Sequence, residues 1–212
     1  SDINPELTSL YKAVSKYPKE ILSELKKYPF NEEFFYKLRK LKFEDLNEIK
    51  SAARFIYLNR TCFNGLYRVN KKGEFNVPFG KYKNPTIVQE ERILEASKIL
   101  NLSMIKTLSF EYLFDYPVKK GDFVFFDPPY IPVGKFSDFK RYNKEQFSLE
   151  NHIKLSELFN ELSKKGVSVV LTNSCTEIVK ELYSGHTIFE VKAKRNINSK
   201  GDRRQSKELI IS

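Results

Sequence analysis

Phe125-Phe126-Asp127-Pro128-Pro129-Tyr130, which closes an apolar run beginning at Phe123, holds the residues best suited to chemistry. An apolar strand that ends in a carboxylate puts that carboxylate at the carboxyl edge of a sheet, where open α/β folds bind ligands. Pro128 and Pro129 fix their own φ and push the residues before them into extended geometry, so Asp127 and the Pro128 carbonyl can be held in one relation. Two such acceptors can take the two hydrogens of an exocyclic amine, and Tyr130 offers a flat face for a base to stack on. The motif points to a nucleobase amine. An Asp-Pro turn closing a buried strand is the plainer reading of the same letters.

Composition favours a polyanionic partner. The 212 residues suffice for one domain, or one domain with an insertion, and carry a formal net charge of +10. Lys and Arg gain affinity by releasing counterions from phosphates, so nucleic acid leads and a membrane surface trails. No apolar run reaches the roughly 20 residues that span a bilayer, and no secretory leader opens the chain, so a cytoplasmic protein is expected. Cys62, Cys175, His152 and His186 form no zinc spacing. Two reduced thiols and no metal are expected.

The elements that must position the motif follow from periodicity. Pro5 to Tyr17 and Lys19 to Leu25 carry apolar residues at helical spacing, with Leu7, Leu10, Val14, Ile21, Leu22 and Leu25 facing inward. Helices also follow over Asn31 to Leu41 and Leu46 to Leu58, the latter starting near Asp45 or Glu44, with Ala52 and Ala53 suited to close packing. Leu66 to Val69 and Phe75 to Val77 read as a hairpin around Asn70-Lys71-Lys72-Gly73. A helix over Val88 to Leu100, a strand near Met104 to Leu108 and a short helix near Glu111 precede the Phe123 strand. Leu149 to Lys164 is amphipathic and stops at Gly166. Val167 to Thr172 is a β-branched apolar strand, and a helix over Cys175 to Tyr183 completes a second βα unit. His186 to Val191 and Leu209 to Ile211 form a closing antiparallel pair. The alternation implies an α/β fold with a mostly parallel sheet.

Two segments concentrate charge. Between Arg60 and Lys83, Lys and Arg far outnumber the single acid, Glu74, and alternate with Phe63, Tyr67, Phe75, Phe79 and Tyr82. Cations can position phosphates while an aromatic wedge or an Arg fork separates or reads bases. Of the five aromatics, only Phe63 and Tyr82 are expected to reach DNA, the others packing the hairpin's own core. A second basic block, Lys192 to Lys207, is expected to make mainly phosphate contacts.

Asn64-Gly65-Leu66-Tyr67-Arg68-Val69-Asn70, Gly73-Glu74-Phe75-Asn76-Val77-Pro78-Phe79-Gly80-Lys81-Tyr82 and the Asp127 motif together resemble Dam-type DNA adenine methyltransferases. The likeness runs from Asp2-Ile3-Asn4-Pro5-Glu6-Leu7, through the strand end Leu171-Thr172-Asn173-Ser174, to the basic carboxyl-terminal loop. It implies a Rossmann-like S-adenosylmethionine-dependent methyltransferase sheet with an inserted helical and hairpin DNA-recognition domain. The catalytic domain would comprise residues 1–29 and 104–212, and the target-recognition domain residues 30–103. It also implies S-adenosylmethionine as methyl donor and adenine N6 of double-stranded DNA as acceptor, most often within GATC.

By position, the resemblance implies that Asp127, Pro128, Pro129 and Tyr130 hold a flipped adenine. Asp2 would bind the cofactor's ribose hydroxyls, Phe110 would pack near its adenine, and Asp127 would face it too. Ser109 departs from the Asp that similar enzymes often carry. Phe63 stands where the family's aromatic enters the base stack, and Arg68 where an arginine reads a guanine. Arg60, Asn64, Leu66, Asn70, Asn76, Pro78, Lys81, Tyr82, Arg195, Asn198 and Lys200 complete the expected DNA contacts.

Family members begin with a Lys-Trp-x-Gly-Gly-Lys-like segment and a Gly-rich strand-to-helix loop, and this sequence begins at the second cofactor motif. The resemblance thus implies a first strand and Gly-rich loop upstream of Ser1 or in another chain; otherwise a monomer without membrane attachment is expected. Two alternatives stand beside the enzyme: a DNA-binding fragment without catalysis, and an RNA or protein methyltransferase, since related sheets also place Asn or Asp before Pro-Pro-Tyr.

Overall fold

A computed structural model describes residues 1–133, 147–194 and 205–212. They form two compact units, one of Ser1–Ser109 and one from Phe110 onward.

The first unit is helical. Asn side chains start three of its helices by accepting backbone N–H groups the first turn cannot satisfy. Asn4 caps α1 (Pro5–Lys16), Asn31 caps α3 (Glu32–Lys40) and Asn47 caps α4 (Glu48–Thr61). The start of α4 therefore falls past Asp45 and Glu44, which both lie in a 3-10 turn, Phe43–Asp45. With α2 (Pro18–Leu25) and α5 (Glu90–Leu100), these helices enclose Ile21, Leu25, Phe35, Ala52, Ala53, Tyr57 and Leu58. Residues 1–29 thus share a core with residues 35–93.

The hairpin forms, but with two bridges in place of continuous strands: Val69 opposite Phe75 and Cys62 opposite Phe79. Asn70 builds its turn, the Oδ1 accepting the Lys72 and Glu74 N–H groups while Gly73 takes φ of +83°. Outside the turn, Arg68 and Asn76 fasten the arms partly through side chains. The expected strand at Met104 to Leu108 reduces to one parallel bridge, Thr107 with Asp2, because only Asp2 lies alongside it among the described residues.

The second unit carries the sheet, in the order β1-β2-β4-β3. β1 (Phe123–Phe126) runs parallel to β2 (Ser168–Ser174), while β4 (Gln205–Ile211) lies antiparallel between β2 and β3 (Ile188–Lys194). The sheet is thus mixed, not mostly parallel, because the last strand enters beside β2. The α/β class stands. α6 (Leu149–Lys164) is capped by Ser148 and stopped at Gly166, whose φ of +77° lets Val167 and Gly166 close back onto Leu162 and Ser163. Its Leu155, Leu158, Phe159 and Leu162 share a core with Val169 and Leu171 of β2 and Val179 of α7 (Glu177–Leu182).

Candidate active site

β1 delivers Asp127 to the carboxyl end of the sheet. Strand side chains alternate between faces, and Phe126 pairs with Leu171 in parallel register, so Asp127 and Thr172 come next, side by side. The Thr172 hydroxyl donates to Asp127 Oδ1 at 2.7 Å. Asp127 is exposed, and a carboxylate accepts at several further lone-pair positions, so an amine can reach it from solvent.

The loop after Asp127 is staked down at its far end as well. Fully buried Asn173 accepts the Ile131 N–H at 3.0 Å, and the Ser174 hydroxyl donates to the Ile131 carbonyl. Pro128, Pro129 and Tyr130 therefore span two fixed points, both set by the end of β2. Tyr130 is half-buried, and its hydroxyl sits above the usual phenol range chiefly through burial, with the nearby Asp127 and Glu208 charges adding to it and Thr172 opposing. The sequence brings Asp127 and Tyr130 to attention, but not the roles of Thr172, Asn173 and Ser174. Their signal is a polar triplet closing an otherwise apolar strand.

Phe110, half-buried, opens a 3-10 turn, Phe110–Phe114, and its ring lies 5.7 Å from that of Phe147 between centroids. Phe147 in turn meets His152 edge to face. Burial pulls the His152 imidazole down to about 4, so it is neutral at pH 7. Asp2 belongs to the other unit. Its Oδ1 accepts the Asn4 N–H at 2.7 Å, which ties the segment to the start of α1.

The expected DNA contacts in the first unit divide by exposure. Phe63 is 42% and Tyr82 39% exposed, whereas Tyr67, Phe75 and Phe79 pack into the core cluster. Phe63 N–H donates to the Pro78 carbonyl, and the Tyr82 hydroxyl donates to the Cys62 carbonyl, so Phe63, Pro78 and Tyr82 gather around one turn. Gly80 permits this closeness. Asn64 and Lys81 there take φ of +54° and +51°, a region costly for residues with a Cβ. Cys62 is a buried free thiol pushed up to about 11 by that burial, which rules out a thiolate nucleophile at neutral pH.

Arg68 is exposed, and its Nε donates to Asn76 Oδ1 at 2.8 Å. Asn76 thus orients the arginine. Asn70 is committed to its turn, with Nδ2 on Glu74. Arg60 donates Nε to the Thr86 carbonyl at 3.1 Å, and Leu66 is half-buried. Tyr67, next to Arg68, is anchored below by Glu6, which also takes the Arg54 guanidinium. Burial raises the Glu6 carboxyl above its ordinary value, against the opposing pull of Arg54. Arg195, Asn198 and Lys200 lie outside the described residues.

The chain matches the family described as "D12 class N6 adenine-specific DNA methyltransferase" over residues 1–197. It is 42% identical to the type II methyltransferase M.MjaIII of Methanocaldococcus jannaschii over 227 residues, covering 100% of this chain and 78% of that protein. It is 38% identical to the type II methyltransferase M1.LlaDCHI of Lactococcus lactis subsp. cremoris, covering 100% and 78%. With the DNA adenine methylase of Escherichia coli (strain K12) the identity is 31%, covering 100% and 77%. The chain belongs to the D12 class N6 adenine-specific DNA methyltransferase family. A DNA methyltransferase of this family acts on DNA. Among the described residues no helix is long and apolar enough to cross a membrane.

Proposed function

We propose that the enzyme methylates N6 of an adenine flipped out of duplex DNA, within GATC, with S-adenosylmethionine as donor. The observation that carries this reading is the exposed Asp127 carboxylate held by Thr172 at the strand end, beside a Pro-Pro-Tyr loop fixed at Ile131.

The N6 lone pair is delocalised into the adenine ring, so the amine needs help to act as a nucleophile. Asp127 and the Pro128 carbonyl accept its two hydrogens and localise the lone pair, and Tyr130 stacks on the base. Orientation and fixed acceptors supply most of the rate enhancement. Flipping the base costs a few kcal/mol, which the aromatic platform offsets in part.

S-adenosylmethionine, when bound, supplies an electrophilic methyl group on a sulfonium. In the first unit the Asp2 carboxylate would suit ribose hydroxyls, and in the second the Phe110 ring would suit a purine. Phe110 is half-buried against Phe147.

Target recognition is assigned to residues 30–103. Phe63 enters the base stack, Arg68 reads a guanine, and Asn64, Leu66, Pro78, Lys81 and Tyr82 contact the duplex, with Arg60, Asn70 and Asn76 supporting them. Supporting this assignment, Phe63, Arg68, Pro78, Lys81 and Tyr82 are all exposed on the hairpin. The test is methyl incorporation into a GATC duplex, a GTAC duplex of equal composition and single-stranded RNA. Incorporation confined to the GATC adenine is expected; equal incorporation into GTAC would remove the assigned site.

A further inference from the structure

Asp127 and Thr172 are the first pair beyond the β1–β2 ladder and share a sheet face. That face is opposite the one on which Val169, Leu171 and Asn173 are buried. Thr172 is only half-buried, so its hydroxyl does not serve core packing; it donates to Asp127 Oδ1 at 2.7 Å and also meets the Tyr130 hydroxyl.

An exposed aspartate has little to fix its last torsion. The Cα–Cβ–Cγ–Oδ rotation is broad and roughly two-fold, unlike the staggered torsions before it. The pyrrolidine rings of Pro128 and Pro129 stiffen the backbone after Asp127, and they leave its carboxylate plane undetermined. Two side chains beside it hold the plane: Thr172 on the neighbouring strand, whose hydroxyl donates to Oδ1, and the Tyr130 hydroxyl of the loop itself.

We propose that Thr172 is a positioning residue of the reaction, turning the Asp127 carboxylate into the orientation that receives the amine. The proposal rests on the assignment of Asp127 as amine acceptor. Asn173 and Ser174 then set the far end of the same loop, so three consecutive residues of β2 determine the geometry of a motif that begins on β1.

The test is steady-state kinetics of the intact enzyme on a GATC duplex for Thr172→Val, Thr172→Ser and Asp127→Ala. Valine keeps the branched shape and strand preference and lacks only the hydroxyl. For Thr172→Val, kcat is expected to fall on the order of 10- to 100-fold, as for a misplaced reacting group. KM for DNA should stay within about twofold and the melting temperature should hold, because the lost contact acts on the reacting geometry and not on binding. Thr172→Ser should recover most of kcat. A wild-type kcat in Thr172→Val, or a Thr172→Ser enzyme as slow as Thr172→Val, would overturn the proposal while an inactive Asp127→Ala left the acceptor assignment standing. Full activity in Asp127→Ala would overturn both.

Discussion

Arg68 Nε donates to Asn76 Oδ1 at 2.8 Å, across the arms of the hairpin. The bond uses the side of the guanidinium nearest the chain, and Nη2 adds a longer contact to the Asn76 carbonyl at 3.4 Å. An arginine held this way meets a base edge with little orientational freedom left to lose, which favours two-point recognition of a guanine. Asn76→Ala is therefore expected to relax discrimination. The ratio of methylation on GATC to that on a duplex with the guanine replaced should fall by about tenfold, within the 1–3 kcal/mol a bidentate base contact supplies. An unchanged ratio would separate Asn76 from target reading.

Gly80 is fixed by what surrounds it. A Cβ there would lie 2.5 Å from the Tyr82 ring and 2.7 Å from the Cys62 carbonyl oxygen. The ring could swing aside, but the carbonyl is backbone and also takes the Tyr82 hydroxyl. Gly80→Ala should displace Tyr82 and cost about 1–3 kcal/mol of stability, as overpacking does. Thermal denaturation and duplex-binding anisotropy check this together; wild-type values in both would contradict it.

The His152 imidazole is almost fully buried and is held neutral, down to about 4 against an ordinary 6.5. With the folded value depressed, the unfolded chain binds a proton that the folded chain refuses between these limits. Its contribution to stability is thus present above about pH 6.5 and is lost as pH falls toward 4. Urea titrations from pH 7 to 4.5 should show stability declining with a slope of up to about one proton. His152→Leu should flatten that slope; an identical slope in the variant would remove His152 as its source.

Much of this was legible in the sequence because it is local. Helix periodicity placed α1, α3 and α5, and Gly166 marked the end of α6 through its left-handed φ. The separation of Phe63 and Tyr82 from Tyr67, Phe75 and Phe79 also followed, since the hairpin needs some aromatics for its own core. What escaped depends on distant segments meeting. No periodicity says that β4 enters between β2 and β3, or that Thr172 will stand beside Asp127. Asn70 and Asn76 look alike on paper, yet one builds a turn and the other holds an arginine.

The central claim is that Asp127 is the amine acceptor, and Asp127→Ala in the intact enzyme tests it most directly. Transfer of a labelled methyl group from S-adenosylmethionine to a GATC duplex should fall on the order of a thousandfold or more, as when a preorganised catalytic group is removed. Duplex affinity should be retained, because most residues assigned to the duplex lie on or beside the hairpin and none lies on β1. Methyl transfer at the wild-type rate with Asp127 replaced would contradict the account.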